Sequence, residues 1–398
     1  MQLTRPAILG GAPILTDPVP LARPTLDADP DLLATFRDVL SSGIVTKGRH
    51  LAELEREVAD FLGVGHAVLV SSCTSGLMLT LRCLDLHGEV VLPSFTFMAS
   101  GHAVVWNGLE PVFADIDPHT FAVDPERVAD EVTDRTAALL AVHTFGSPCD
   151  VDALAKIAAE RGVPLVVDAA AAFGGRYPDG SPVGGRGTAE VFSLSPTKPF
   201  TTGEGGIVAT NDGELARELR VGRDYGNAGD YDSRFVGLNA RMPELSAVLG
   251  RHHLPLLPAL IERRQELADR YRAGLSGLPG IGFQRVPPGA RSTYKDLCLT
   301  VSASGFGLDR DTLAAALRAE GVATRAYFDP PLHRQTAYRR FAASGKSLPH
   351  SEELAGRALA VPLYSHLPEH LVDRICEVVR RIHEHAAEIT ARTAPDAG

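Results

Sequence analysis

Five short apolar runs follow one another between residues 66 and 170: HAVLV (His66 to Val70), EVVLP (Glu89 to Pro93), PVFADI (Pro111 to Ile116), AALLAVH (Ala137 to His143) and PLVVDAA (Pro164 to Ala170). None shows the polar alternation of a strand with one wet face, so the runs suit strands buried on both faces. Helix-like stretches such as Leu51 to Leu62 and Ser75 to Leu84 accompany them. Alternating elements of this kind predict an α/β fold, a mostly parallel sheet covered by helices on both sides.

The chain has 398 residues, 44% hydrophobic and 22% charged, enough for a large core and two domains. A proline-rich N-terminal segment, 1–25, carries no period and is expected to run extended over the surface. A large domain spans 26–255. A helical segment interrupted near Pro255 and Pro258 then leads into a smaller α+β domain within 256–390, read from YKDLCLTV, RDTLAAALRAEG and HLVDRICEVVRRIHEHAAEI. The tail 391–398 is expected to be disordered.

A net charge of −10 and a pI near 5.8 argue against nucleic acid or an anionic membrane surface as partner. No apolar run approaches the roughly 18 residues of a membrane span. The opening MQLTRPAILGGAPI lacks a basic stretch followed by an apolar one, so no signal peptide is expected and the location predicted is cytoplasmic. Cys73, Cys83, Cys149, Cys298 and Cys376 form no CxxC or Cys/His pattern, which predicts reduced thiols and no metal site.

Chemistry concentrates in VFSLSPTKPFTTGEGGIVAT, Val191 to Thr210: a strand, a turn with one lysine between two prolines, a glycine-rich run and a second strand. A lysine in that setting either points to solvent or, if buried, needs a lowered pKa or a covalent partner such as an aldehyde. Asp168 ends the run PLVVD, either as a helix cap or as a carboxylate awaiting a cation such as a protonated pyridine nitrogen. VSSCTSGLMLTL, Val70 to Leu81, turns from strand to helix through small hydroxyl residues, which suits an N-cap or a phosphate site. In LPSFTFMAS, Phe95 or Phe97 could cover a flat ring, or both could be core.

In this order and over about residues 25 to 390, these motifs resemble the DegT/DnrJ/EryC1/StrS sugar aminotransferases, fold-type-I enzymes that use pyridoxal 5′-phosphate. The resemblance implies a seven-stranded large-domain sheet with a smaller C-terminal domain. It makes Lys198 the Schiff-base lysine, Asp168 the partner of the pyridinium nitrogen, and Ser193 with the backbone of Thr74 and Ser75 the phosphate ligands. PSFTFMA places Phe97, not Phe95, over the ring. GLNAR matches the family's GYNxR, so Asn239 should reach the phosphate in a neighbouring subunit, which implies a homodimer with shared sites. YFDPPLHRQTAYR contributes His333, the family's histidine in that segment. Tyr294 and Lys295, from STYKDL, and Arg241 complete the candidate substrate contacts. Metal ligands are not implied.

The chain departs from the family pattern at Ala171, where His or Gln is usual, and at Ala240, where an aromatic is usual. Lys198 itself argues against the branch that replaces this lysine by His and removes a hydroxyl. The expected activity is amino transfer from glutamate or glutamine to a keto-sugar, a nucleotide-linked 4-keto-6-deoxy sugar by the likeness of STYKDL and DPPLHRQ. A 3-keto sugar or keto-inositol acceptor, a different pyridoxal-phosphate reaction, or a regulatory protein of the same fold are the alternatives.

Overall fold

In the computed structural model, which describes residues 5–27, 29–342 and 347–393, ten strands form two sheets. The first seven are β1 (His66–Val70), β2 (Glu89–Pro93), β3 (Glu110–Ala114), β4 (Thr136–Val142), β5 (Leu165–Asp168), β6 (Ala189–Ser193) and β7 (Gly206–Thr210). They lie in the order β1-β7-β6-β5-β4-β2-β3. Six run parallel, and β7 alone runs against both of its neighbours. The connection after β6 is a loop without a crossover helix, and β7 returns beside β6 as its antiparallel neighbour.

Side chains of successive strand residues enter opposite cores, which is why the runs are apolar throughout. Leu69, Val91, Leu139, Val167 and Ile207 pack beneath helices Arg49–Leu62 and Val151–Arg161. Val68, Val90, Leu140, Val166 and Val208 pack on the other face, under Cys73–Cys83, Met98–Trp106 and Gly213–Gly222. The C-terminal ends of β2, β4, β5 and β6 therefore open on one edge of a three-layer stack, where α/β sheets place their ligands.

The predicted interruption of the connector is present. Helix Glu244–His253 passes through a 3-10 turn, Leu254–Leu256, into helix Leu257–Gly274, with Pro255 and Pro258 in the first turns, where the missing N–H costs nothing. Beyond it, β8 (Ile281–Phe283), β9 (Leu297–Val301) and β10 (Ala358–Val361) form an antiparallel sheet in the order β10-β9-β8. Helices Arg310–Ala319 and Glu369–Glu384 close its core with Leu313, Leu317, Ile375 and Val379.

The N-terminal segment crosses the surface of this second domain but is anchored to it. Leu9, Leu15 and Val19 are buried in the small-domain core, and Val19 bridges Val322. The buried Glu320 carboxylate accepts the Ala7 and Ile14 N–H groups, each at 2.8 Å. Of the predicted disordered tail, residues 391–393 belong to helix Ala386–Thr393, and 394–398 lie outside the described residues. Among the described residues no helix is long and apolar enough to cross a membrane.

Candidate active site

The strand-turn-strand unit shows why one lysine sits between two prolines. Leu194 pins the neck of its loop: its N–H donates to the Gly205 carbonyl at 2.8 Å, and its own carbonyl accepts from Thr202 N–H at 3.1 Å and from the Thr201 hydroxyl at 2.8 Å. Within the neck, Lys198 N–H closes a turn on the Ser195 carbonyl at 3.0 Å, while Pro196 and Pro199 restrict the flanking backbone. Few conformers remain, and Lys198 projects into a cavity of about 370 Å³ at the carboxyl ends of the strands. Burial, and then the cation of Lys295, pull its ammonium down to about 8.

Asp168, at the end of β5, lines the same cavity and is 4% exposed. Its Oδ1 accepts from Ala170 N–H at 3.1 Å and lies 3.8 Å from the Cys73 thiol. Its Oδ2 accepts from the Ser100 hydroxyl at 2.6 Å. Helix capping is thus not its role. It is a buried carboxylate whose remaining lone pairs face the cavity.

At the β1 turn the two readings of the hydroxyl residues coexist, and one ligand assignment changes. Ser72 caps helix Cys73–Cys83 by accepting Ser75 N–H at 3.1 Å, and Ser75 returns the bond to Ser72 N–H at 3.1 Å. The Ser75 amide is therefore spent on the capping box, and Ser75 does not line the cavity. Among the described residues no acceptor meets Thr74 N–H, and Thr74 lines the cavity with Ser193, Ser195 and Thr197. An anion there meets the positive end of the helix, the Thr74 amide and the hydroxyls of these four residues. Gly206 makes this turn possible: a Cβ at that position would stand 2.5 Å from the Ser72 carbonyl carbon.

Phe97 is 54% exposed and lines the cavity, whereas Phe95 is fully buried among Phe121, Phe145 and Phe328. Of the two rings, Phe97 is the one with a face open to the cavity. Of the four candidate substrate contacts only Lys295 reaches the cavity, with its amine held by Asp296 at 2.8 and 2.9 Å. Burial opposes the Lys295 charge, but the Asp296 carboxylate outweighs it and raises the ammonium above its usual range. Tyr294 turns into the second core and accepts from Arg272 at 2.9 Å. Arg241 pairs with Asp224 outside the cavity. His333 is buried between the Ser94 hydroxyl at 2.5 Å and the Glu352 carboxylate at 2.9 Å, and ties its loop to the end of β2. Asn239 is exposed and lies outside the cavity of its own chain.

The cavity also gathers residues the sequence did not single out: Arg325, Asp296, Tyr327 and Phe328 on the small-domain side, and Cys73 and His143 on the floor. Ala171 lines it too, its carbonyl accepting from the Thr293 hydroxyl at 2.5 Å. Ala240 does not: it is fully buried in the core above β1, and its carbonyl accepts Ser71 N–H at 2.8 Å.

A lysine with a lowered pKa, a buried carboxylate, a helix-terminal anion cradle and an open phenyl face in one cavity fit pyridoxal 5′-phosphate, and with the reversed β7 they define a fold-type-I enzyme of that cofactor. The family model for the DegT/DnrJ/EryC1/StrS aminotransferases matches residues 27–380, and the chain belongs to that family. It is a pyridoxal-phosphate-dependent sugar aminotransferase. It is 37% identical over 352 residues to dTDP-3-amino-3,4,6-trideoxy-alpha-D-glucose transaminase of Streptomyces venezuelae, covering 87% of this chain and 90% of the relative. With the UDP-N-acetyl-3-dehydro-alpha-D-glucosamine 3-aminotransferase of Acidithiobacillus ferrooxidans it shares 34% identity over 354 residues, 88% of this chain and 93% of the relative. The crystal structure of DesI in the presence of its TDP-sugar product superposes with a TM-score of 0.92 at 37% identity, covering 98% of this chain and 99% of that one.

Proposed function

We propose that this enzyme transfers the amino group of glutamate or glutamine to the keto carbon of a 4-keto-6-deoxy sugar carried on a nucleoside diphosphate. What supports the reading is the make-up of this cavity: candidate cofactor ligands on the large-domain side and, on the other, Arg325 beside the Lys295–Asp296 pair, suited to an anionic substrate. The relative solved with a TDP-sugar product agrees with a nucleotide carrier. A 3-keto acceptor is the second reading, favoured by two relatives whose names specify 3-amino products.

Pyridoxal phosphate supplies the electron-accepting ring and the carbon that holds the amino group between the two substrates. Lys198 holds it covalently and, once released, moves the proton at the substrate carbon bearing nitrogen, a task suited to an amine pulled down to about 8. Asp168 accepts the ring N–H and keeps that nitrogen protonated. Thr74 N–H and the Ser193 hydroxyl hold the phosphate, and Phe97 covers the ring. Two chains complete the sites jointly, with Asn239 of each reaching the phosphate held by the other.

The test loads the protein with pyridoxamine phosphate and offers 3-keto and 4-keto nucleotide sugars in turn. The 4-keto substrate is expected to restore the pyridoxal absorbance. Restoration by a 3-keto sugar alone would overturn the assigned position. Lys198→Ala should abolish turnover in a folded protein, and turnover near the wild-type rate would remove Lys198 from its role.

A further inference from the structure

The hydroxyl of Ser100 makes an unusual choice of partner. Ser100 is the third residue of helix Met98–Trp106, where a serine commonly bonds back to its own helix. Instead its proton goes to Asp168 Oδ2 at 2.6 Å, a carboxylate 68 residues away. That length is in the range of a charge-assisted O–H···O bond. Ser100 is fully buried and does not line the cavity, so its hydroxyl turns to protein partners, and Thr96 beside it is 1% exposed.

Proton counting gives the chain a direction. Ser100 has one hydroxyl proton, and Asp168 takes it. The contact of 3.0 Å between the Thr96 and Ser100 oxygens must then be a donation from Thr96. Thr96 O–H thus donates to Ser100, and Ser100 O–H to Asp168. On the other carboxylate oxygen, Ala170 N–H donates at 3.1 Å, and the Cys73 thiol lies 3.8 Å away. Burial, and then the charge of Asp168, push that thiol well up, so it stays a donor. Both oxygens are gripped, and the carboxylate cannot turn about its bond to the chain.

We infer that Ser100, backed by Thr96, is a positioning residue: it fixes the rotation of the Asp168 carboxylate so that the remaining lone pair of Oδ2 points at the ring nitrogen of the cofactor. The inference rests on the reading of Asp168 as the partner of that nitrogen. A purely structural Ser100 would satisfy a buried carboxylate and hold the helix whose N-cap is Phe97. That role would support any flat phosphorylated ring equally.

The test uses that difference. Cofactor-free wild type, Ser100→Ala and Thr96→Val are titrated with pyridoxal 5′-phosphate and with its analogue in which the ring nitrogen is replaced by C–H, and Kd is read from the absorbance of bound cofactor. Ser100→Ala is expected to weaken the natural cofactor about tenfold and the analogue less than about twofold. Thr96→Val, which keeps shape and removes the first donor, should give a smaller loss of the same kind, about threefold; it carries the test if Ser100→Ala does not fold. Equal losses for both ligands, or no loss for either, would overturn the inference. A wild type that binds both ligands equally would remove the reading of Asp168 itself.

Discussion

Lys198 reacts with the cofactor only as a free amine. An unperturbed lysine offers roughly one molecule in three thousand at pH 7, whereas a value of about 8 makes about a tenth of them available. The free base grows as pH rises through the lysine's value, so capture of pyridoxal phosphate by the cofactor-free protein should accelerate with a midpoint near 8 and then level off. After burial, the cation of Lys295 is the cause that lowers the value, and the Asp296 carboxylate opposes it. Replacing Lys295 removes a repulsion and leaves Asp296 without its partner, and both changes raise Lys198. We expect Lys295→Met to move the midpoint of capture, measured by stopped-flow absorbance, above that of the wild type. An unchanged midpoint would falsify the coupling. Sequence gave no warning of this pair, because the two lysines lie 97 positions apart and meet only where the two domains face one cavity. Lys198 and Asp168 were legible for the opposite reason: Asp168 ends a buried strand and Lys198 sits in the loop between two of them, where a charge needs an explanation.

Among the elements, the antiparallel pair β6–β7 carries both the lysine and the phosphate end of the site. Ser193 pairs with Gly206, and Gly206 in turn lies against Ser72 and Cys73. A methyl group on Gly206 would stand 2.5 and 2.6 Å from backbone atoms of those two residues, so the helix start must shift. Gly206→Ala should cost about 1–3 kcal/mol of stability as overpacking. It should weaken cofactor binding as well, because Thr74 N–H moves with the helix start. Denaturant midpoints at constant slope, together with cofactor Kd, would show it, and a variant with wild-type values for both would contradict the close approach. The same elements show what sequence could and could not reveal. β1 was legible in the sequence with its bounds, as was β2, because each is a buried run flanked by turns. β10 was not, because Ala358–Val361 follows helix Pro349–Arg357 without a breaker and reads as its last turn. β8 has three half-exposed residues and no period at all. Ser75 shows the limit at a motif: the stretch signals a helix start, but only the folded capping box shows that its amide is already used.

For the molecule as a whole, the open question is what covers one side of it. Helix Pro30–Ser42 buries Leu32 and Val39 against Val248, and leaves Leu33 and Leu40 52% and 61% exposed. Ile44 and Val45 follow, also exposed, and Thr46 bridges Pro243, next to the segment that carries Asn239 and Arg241. Lys47 and Arg241 share Asp224, which bridges Asn239, and Tyr225 stands 52% exposed beside them. Apolar groups and an exposed asparagine suit an isologous contact with a second copy, the arrangement in which we propose that Asn239 meets the partner's phosphate. If sites are shared, two inactive variants should rescue each other. Lys198→Ala lacks the lysine, and Asn239→Asp sets a negative charge against the phosphate. In a mixed dimer one site carries both defects, and the other combines Lys198 of one chain with Asn239 of its partner and is intact. Random exchange makes half the dimers mixed, each with one good site of two, so the mixture should recover about a quarter of wild-type activity. Sites built within single chains give no recovery at any ratio, and that result, in a mixture shown by sedimentation to have exchanged subunits, would place Asn239 outside the partner's site.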